Sequence, residues 1–154
     1  MATYFVDSSG AAKFYVSEVG SSWMESLTDR AQRHQLVIAR ITAVEVAAVL
    51  FRRVRGGRMA ASDAAIAMQE FGRDLGSLFA IVELTPIVMA RALVAAQQHG
   101  LRGYDCVQLA SALVVQQERL QRGLSAVTLI SGDTELNQAA RHEHLAVEDP
   151  NTHP

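Results

Sequence analysis

Short runs of β-branched and aromatic residues alternate along the chain with longer stretches whose apolar positions recur every three or four residues. The first run, Thr3 to Val6, ends at Asp7. Ser8, Ser9 and Gly10 then open an amphipathic stretch to about Glu18, and Gly20 starts a second helix predicted to reach Arg33. Leu36 to Ala39 is the second predicted strand. Thr42 begins a helix that runs to about Arg55 and is stopped by Gly56 and Gly57. Ala60 to Phe79 is predicted as a longer helix, and Ala80 to Leu84 as the third strand. Thr85 and Pro86 read as a cap followed by proline at the first helical position, which predicts a helix to Gly100. Another helix covers Tyr104 to Gln121. Ala126 to Ile130 is the fourth strand, Asp133 to His142 the last helix and Leu145 to Val147 the last strand.

Strands that alternate with helices need crossover connections. The pattern therefore predicts an α/β single domain with a central, mostly parallel sheet flanked by helices on both faces. The domain is expected to fill residues 1–150, with 151–154 a short C-terminal tail. A length of 154 residues suits one domain, and 49% hydrophobic against 19% charged residues excludes composition-driven disorder. The net charge of −2 leaves no general basic coat for nucleic acid, so any such contact needs a local patch. Cys106 is the only cysteine and cannot form an internal disulfide. No basic residue precedes the first apolar run, which argues against a secretory signal. The apolar stretch from Val37 to Phe51 holds Arg40 and Glu45 and is too short to span a bilayer. The expectation is a soluble, cytoplasmic protein that does not engage a membrane.

Parallel sheets bind ligands outside the carboxyl ends of their strands. Asp7 follows the first strand, Asp133 follows the fourth after Ser131 and Gly132, and Glu45 lies in the first turn after the second. Asp105, at the start of a later helix, joins them if that helix returns to the same edge. Each acid also has a plain structural reading. Asp7 and Asp133 suit helix caps, an acid in a first turn is favoured by the helix dipole, and Thr42-Ala43-Val44-Glu45 fits a capping box. Context weakens that reading for two of them. Glu45 interrupts Val44, Val46, Ala47, Ala48, Val49 and Leu50, a helix expected to be buried nearly all round. Asp105 heads a helix in which only Gln108 and Ser111 are polar up to Val115. Arg40 and Arg102 are the nearest cations in sequence, too few to neutralise four acids. Two carboxylates about 4 Å apart repel by about 4 kcal/mol at an effective dielectric of 20. Protons or a cation must relieve this, and an oxygen-only donor set selects Mg²⁺ or Mn²⁺. Such an ion suits phosphodiester hydrolysis.

Four segments carrying these acids resemble the motifs of PIN domains. FVDSSGAAKFY is similar to a strand ending in D-x-S with a lysine after it, and TAVEVAAVL to an acid inside an apolar helix. RGYDCVQLASAL is similar to D-x-x-x-L-A-x-A, and LISGDTELNQAA to T-x-D followed by leucine, with Ser131 in place of the threonine. Together they run from Thr3 to Ala140. With nothing appended, the chain is most similar to VapC-type toxins. The resemblance implies a Mg²⁺-dependent endoribonuclease with Asp7 and Asp105 as metal ligands. It implies that Glu45 and Asp133 complete the catalytic cluster, directly or through water, beside Ser131. It also implies a homodimer and a small VapB-like antitoxin that blocks the acidic cleft. Two other readings remain open: a metal-dependent phosphoester hydrolase on another substrate, and a non-catalytic module that binds RNA or protein.

Lys13, Arg40 and Arg102 are candidate RNA contacts. Lys13 also suits an acid-balancing role. Arg52, Arg53, Arg55 and Arg58 form the densest basic cluster, read either as a solvated helix end or as a phosphate contact. The five histidines form no H-E-x-x-H pattern, which predicts no zinc site. Cys106 reads as a small buried residue, and the aromatics as core or dimer surface.

Overall fold

Four-residue runs such as Thr-Tyr-Phe-Val are too short to stand alone, and they gain stability by pairing with one another. In the computed structural model, which describes residues 1–153, β1 (Thr3–Val6), β2 (Gln35–Ala39), β3 (Phe79–Val82), β4 (Val127–Ile130) and β5 (Ala146–Glu148) form one sheet. The order is β3-β2-β1-β4-β5 and every pairing is parallel. The sequence prediction of a mostly parallel sheet holds.

Alternation along the strands builds two cores. Phe5, Val37 and Leu129 point to one face, where α5 (Pro86–His99), α6 (Gly103–Gln121) and α7 (Thr134–His142) cover them. Val6, Ile38 and Ile130 point to the other face. There they meet α1 (Ser8–Ala11), α2 (Ser21–Ser26), α3 (Thr42–Arg55) and α4 (Ala61–Ser77). Each large side chain fully buried in this way contributes about 1.5–3 kcal/mol.

Helix ends follow local chemistry. The Thr85 hydroxyl accepts from Val88 N at 3.2 Å, Pro86 opens α5, and Gly100 closes it with φ 62°. The stretch after Ser8 is shorter than predicted: α1 gives way to a 3₁₀ turn at Ala12–Phe14. The second helix stops at Ser26 rather than Arg33, because residues 28–33 are all exposed and offer no apolar face to bury. Asp29 turns the chain there by accepting from Ala31 N. Helix α3 is not buried all round: Val44 is 65% and Phe51 49% exposed. Residues 150–152 form a last 3₁₀ turn that packs on the domain. Trp23 stacks on His153, and a Cβ at Gly20 (φ 86°) would lie 2.2 Å from the Pro150 carbonyl oxygen.

The topology sends the carboxyl ends of all five strands to one edge. Asp7, Arg40, Glu83, Ser131 and Asp149 each directly follow a strand there.

Candidate active site

Asp7 is held at the centre of that edge. Its amide donates to the Ile130 carbonyl at 3.0 Å, which extends the β1–β4 ladder by one residue. Its carboxylate is 2% exposed and accepts five hydrogen bonds. Oδ1 receives Ser8 N (2.5 Å) and Ser8 Oγ (3.1 Å), while Oδ2 receives Ser9 N (3.4 Å), Ser9 Oγ (2.7 Å) and Ser131 Oγ (2.9 Å). No lysine or arginine touches it among the described residues. Hydroxyl and amide donors alone therefore satisfy this buried carboxyl group.

The serines also lock the loop after β4. Ser131 Oγ accepts from Asp133 N at 3.0 Å, and Ser9 Oγ accepts from Gly132 N at 2.9 Å. Asp133 caps α7, its Oδ1 accepting from Leu136 N at 2.9 Å. The plain capping role expected for Asp7 and Asp133 is real, and it leaves one Asp133 oxygen without a cap partner.

Glu45 does not form the capping box that its sequence suggests. Ile41 is the cap residue and makes no side-chain bond, and the Thr42 hydroxyl lies inside the helix. Both Thr42 and Glu45 are committed to Gln108 instead. Its Nε2 donates to Thr42 Oγ1 at 3.0 Å and to Glu45 Oε2 at 2.6 Å. Gln108 is fully buried, and its Oε1 has no partner among the described residues. It lies three positions after Asp105, on the same face of α6. That spacing, with a single glutamine in the apolar stretch of α6 up to Val115, was the signal for a residue that sequence reasoning did not assign a role. Asn137 is a second such residue: its Nδ2 donates to the Ser131 carbonyl at 2.8 Å.

Electrostatics tie the four acids into one cluster. Burial pushes the Glu45 carboxyl up to about 7, and the charges of Asp7 and Asp105 add to the shift; bonds from Gln108 and Ser8 oppose it. Burial likewise pushes Asp105 up to about 6, with Asp133, Asp7 and Glu135 adding to it and Arg102 opposing. The charges of Asp7 and Asp105 reach Glu45, and those of Asp133 and Asp7 reach Asp105, so the four acids share one neighbourhood. None of the four forms an ion pair among the described residues. No three of them bring carboxylate oxygens within 4.8 Å of one another.

The three predicted RNA contacts fare differently. Lys13 is 5% exposed, and its ammonium donates to Glu18 Oε1 (3.0 Å), the Val19 carbonyl (2.7 Å) and Asn151 Oδ1 (2.9 Å). All three donors are used, so this lysine pins the last turn to the domain and balances Glu18, the second role its sequence position suggests. The guanidinium of Arg40 is engaged by the Glu83 carboxylate on the neighbouring strand end. Only Arg102, exposed at the start of α6, remains a cation beside the acids. Arg52 lies seven residues beyond Glu45 along α3, about 10 Å away. Arg53 of the same cluster pairs with Glu18 at 2.6 Å. Cys106 is buried and bonded to the Leu101 carbonyl, as its plain reading predicts.

The model of the PIN domain family matches residues 4–142. Ribonuclease VapC45 of Mycobacterium tuberculosis is 34% identical over 115 residues, which cover 75% of this chain and 78% of the relative. A solved structure from Pyrobaculum aerophilum superposes with TM-score 0.65 at 24% identity, covering 98% of this chain and 92% of that one. A toxin-antitoxin complex from Klebsiella pneumoniae contains a chain that superposes with TM-score 0.60 at 19% identity, covering 96% and 97%. At these identities the two structures establish likeness of fold.

Proposed function

This chain belongs to the PIN-domain family, and on that premise we propose that it is a metal-dependent endoribonuclease, the toxin of a toxin–antitoxin pair. The observation that carries the reading is the acid cluster itself. The four carboxylates belong to one carboxyl edge of a parallel sheet, and burial first, with the charge of neighbouring acids added, pushes two of them up to about 6 and about 7.

The donor set fits a hard divalent ion. All four groups offer oxygen, and the repulsion among them is the deficit that such an ion would fill. Asp7 and Asp105 would hold it, with Glu45 and Asp133 completing the cluster directly or through water. Mg²⁺ is the proposed occupant and Mn²⁺ its substitute. When bound, the ion would acidify a water and steady charge on a phosphoryl oxygen. The protein's own contribution is positional. Ser9 and Ser131 hold the Asp7 carboxylate, and their hydroxyls can rotate to release a lone pair. Gln108 fixes one oxygen of Glu45 and leaves the other to accept a proton from the attacking water. As the water oxygen bonds to phosphorus, the bond to the leaving ribose oxygen breaks. Arg102 is placed to meet a phosphate at the mouth of the cluster.

The proposed partners follow from surface chemistry. Val44 and Phe51 on α3, and Ile87, Leu93 and Val94 on α5, leave apolar area exposed. A further apolar cleft of about 390 Å³ is lined by Ile41, Leu84, Met89, Tyr104 and Val107 beside Arg102. Faces of this kind support a homodimer and an antitoxin of the VapB kind. No described helix is long and apolar enough to cross a membrane, which agrees with a cytoplasmic site of action.

The purified chain is expected to cleave RNA with Mg²⁺ or Mn²⁺, to stop on chelation and to recover on return of the ion. Its expression is expected to arrest growth, and co-expression of the antitoxin from the adjacent reading frame to relieve the arrest. Cleavage of DNA or small phosphoesters but not RNA would replace the substrate. Metal-independent cleavage would overturn the mechanism.

A further inference from the structure

We propose that His99, His142 and Glu143 form a second metal site, selective for Zn²⁺ and separate from the acid cluster. The sequence spacing of the histidines shows no such site, because the ligands come from the last turns of two helices far apart in the chain. His99 ends α5, while His142 ends α7 and Glu143 follows it. Both helices pack against α6, which brings their ends together. His99 Nε2 lies 2.7 Å from Glu143 Oε1, and the His99 and His142 rings stand 5.3 Å apart at 76°.

One ligand atom from each residue lies within 4.8 Å of the other two, the only such set among the described residues. A tetrahedral zinc with bonds of about 2.0–2.1 Å separates its ligands by roughly 3.3 Å. The His99–Glu143 pair has to open slightly and His142 to swing inward. His142 is exposed and can do so. Two imidazoles with one carboxylate select Zn²⁺ over Mg²⁺, whereas the oxygen-only cluster has the opposite preference.

The surroundings favour a cation. His99 and His142 face a cleft of about 450 Å³ lined also by Gln98, Leu101, Glu135 and Gln138. It contains a further carboxylate, Glu135, and no lysine or arginine, while Glu143 lines a second cleft that shares Gln98 and holds Arg91. The cleft leaves the fourth coordination position open to water or to a ligand group. Bound there, the ion adds a coordinate link between the ends of α5 and α7 to the His99–Glu143 hydrogen bond already there.

The test separates this site from the acid cluster by working in the Asp105→Asn chain. Calorimetric titration of that full chain with zinc chloride in millimolar Mg²⁺ is expected to give one ion per chain. Zinc is also expected to raise Tm by about 5 °C. Adding His142→Ala is expected to weaken zinc binding by about tenfold or more and to remove the Tm shift. His142 is exposed, so this variant folds, and circular dichroism checks that it does. Equal zinc affinity with and without His142→Ala, or no zinc uptake at all, would overturn the assignment.

Discussion

Asp105→Asn is expected to lower RNA cleavage by about three orders of magnitude and, in the same protein, to make the ion-free fold more stable. Both effects come from one feature. The Asp105 carboxyl is half-buried and pushed up to about 6, by burial first and then by Asp133, Asp7 and Glu135. At pH 7 the native state must hold it ionised against that resistance. An amide of the same shape carries no charge and removes the strain. After allowance for solvent screening, the gain is about 1–2 kcal/mol at pH 7. The activity loss follows because the charge was there to hold an ion whose removal costs the electrostatic stabilisation of the reaction, an effect of about 10²–10³ or more. A residue whose loss stabilises the protein and abolishes its activity is kept for chemistry. Steady-state cleavage and thermal denaturation on one preparation measure both. An Asp105→Asn chain that cuts RNA at the unaltered rate, or that is less stable without metal, contradicts the assignment.

The second large effect is on pH. Glu45 rises from an ordinary value of 4.5 to about 7, and Asp105 from 3.8 to about 6. Both acids bind protons more tightly in the native state than in the unfolded chain. Stability from these two groups is therefore full below about pH 4 and is lost as pH rises through about 6 and then about 7. The loss amounts to about 2–4 kcal/mol once partial exposure and the mutual coupling of the pair are discounted. Glu18 has the opposite sign: although its burial pulls upward, bonds from Lys13 and Arg53 hold it below its ordinary 4.5. Its contribution is lost as pH falls below that value, outside the window of the other two. Urea unfolding of the metal-free chain across this range should show the decline, and millimolar Mg²⁺ or Mn²⁺ should reverse it above pH 7. A flat profile between pH 5 and pH 8 contradicts the clustering of Glu45 with Asp105.

Elements whose apolar period was long or well capped were legible in the sequence. Thr42 to Arg55 and Pro86 to His99 fall where periodicity, proline and the following glycines place them. The stretch after Ser26 was not, since helix-forming residues there lack a core to face. Asp7, Glu45 and Asp133 were readable as neighbours because strand ends in a parallel sheet share an edge, whereas the place of Asp105 depends on where α6 begins. Of the two roles the sequence left open for Lys13, the pairing with Glu18 is the acid-balancing one, and its full set of partners was not legible because Asn151 lies 138 residues away. The pairing of Arg40 with Glu83 was not legible for the same reason, as Glu83 reaches that edge only through the pairing of β2 with β3. Gln108 and the meeting of His99 with His142 are also products of tertiary packing. The capping box failed on competition: Thr42 and Glu45 have the right spacing, but a buried glutamine on α6 takes both.

Manganese binding to the purified chain, followed by electron paramagnetic resonance at slightly alkaline pH, measures directly whether the acids converge to hold an ion. Saturable binding is expected in the unaltered chain, with Asp7→Asn and Asp105→Asn each weakening it by about tenfold or more. Equal affinity in all three proteins would mean that these carboxylates meet for some other reason, and the nuclease mechanism would fail with them.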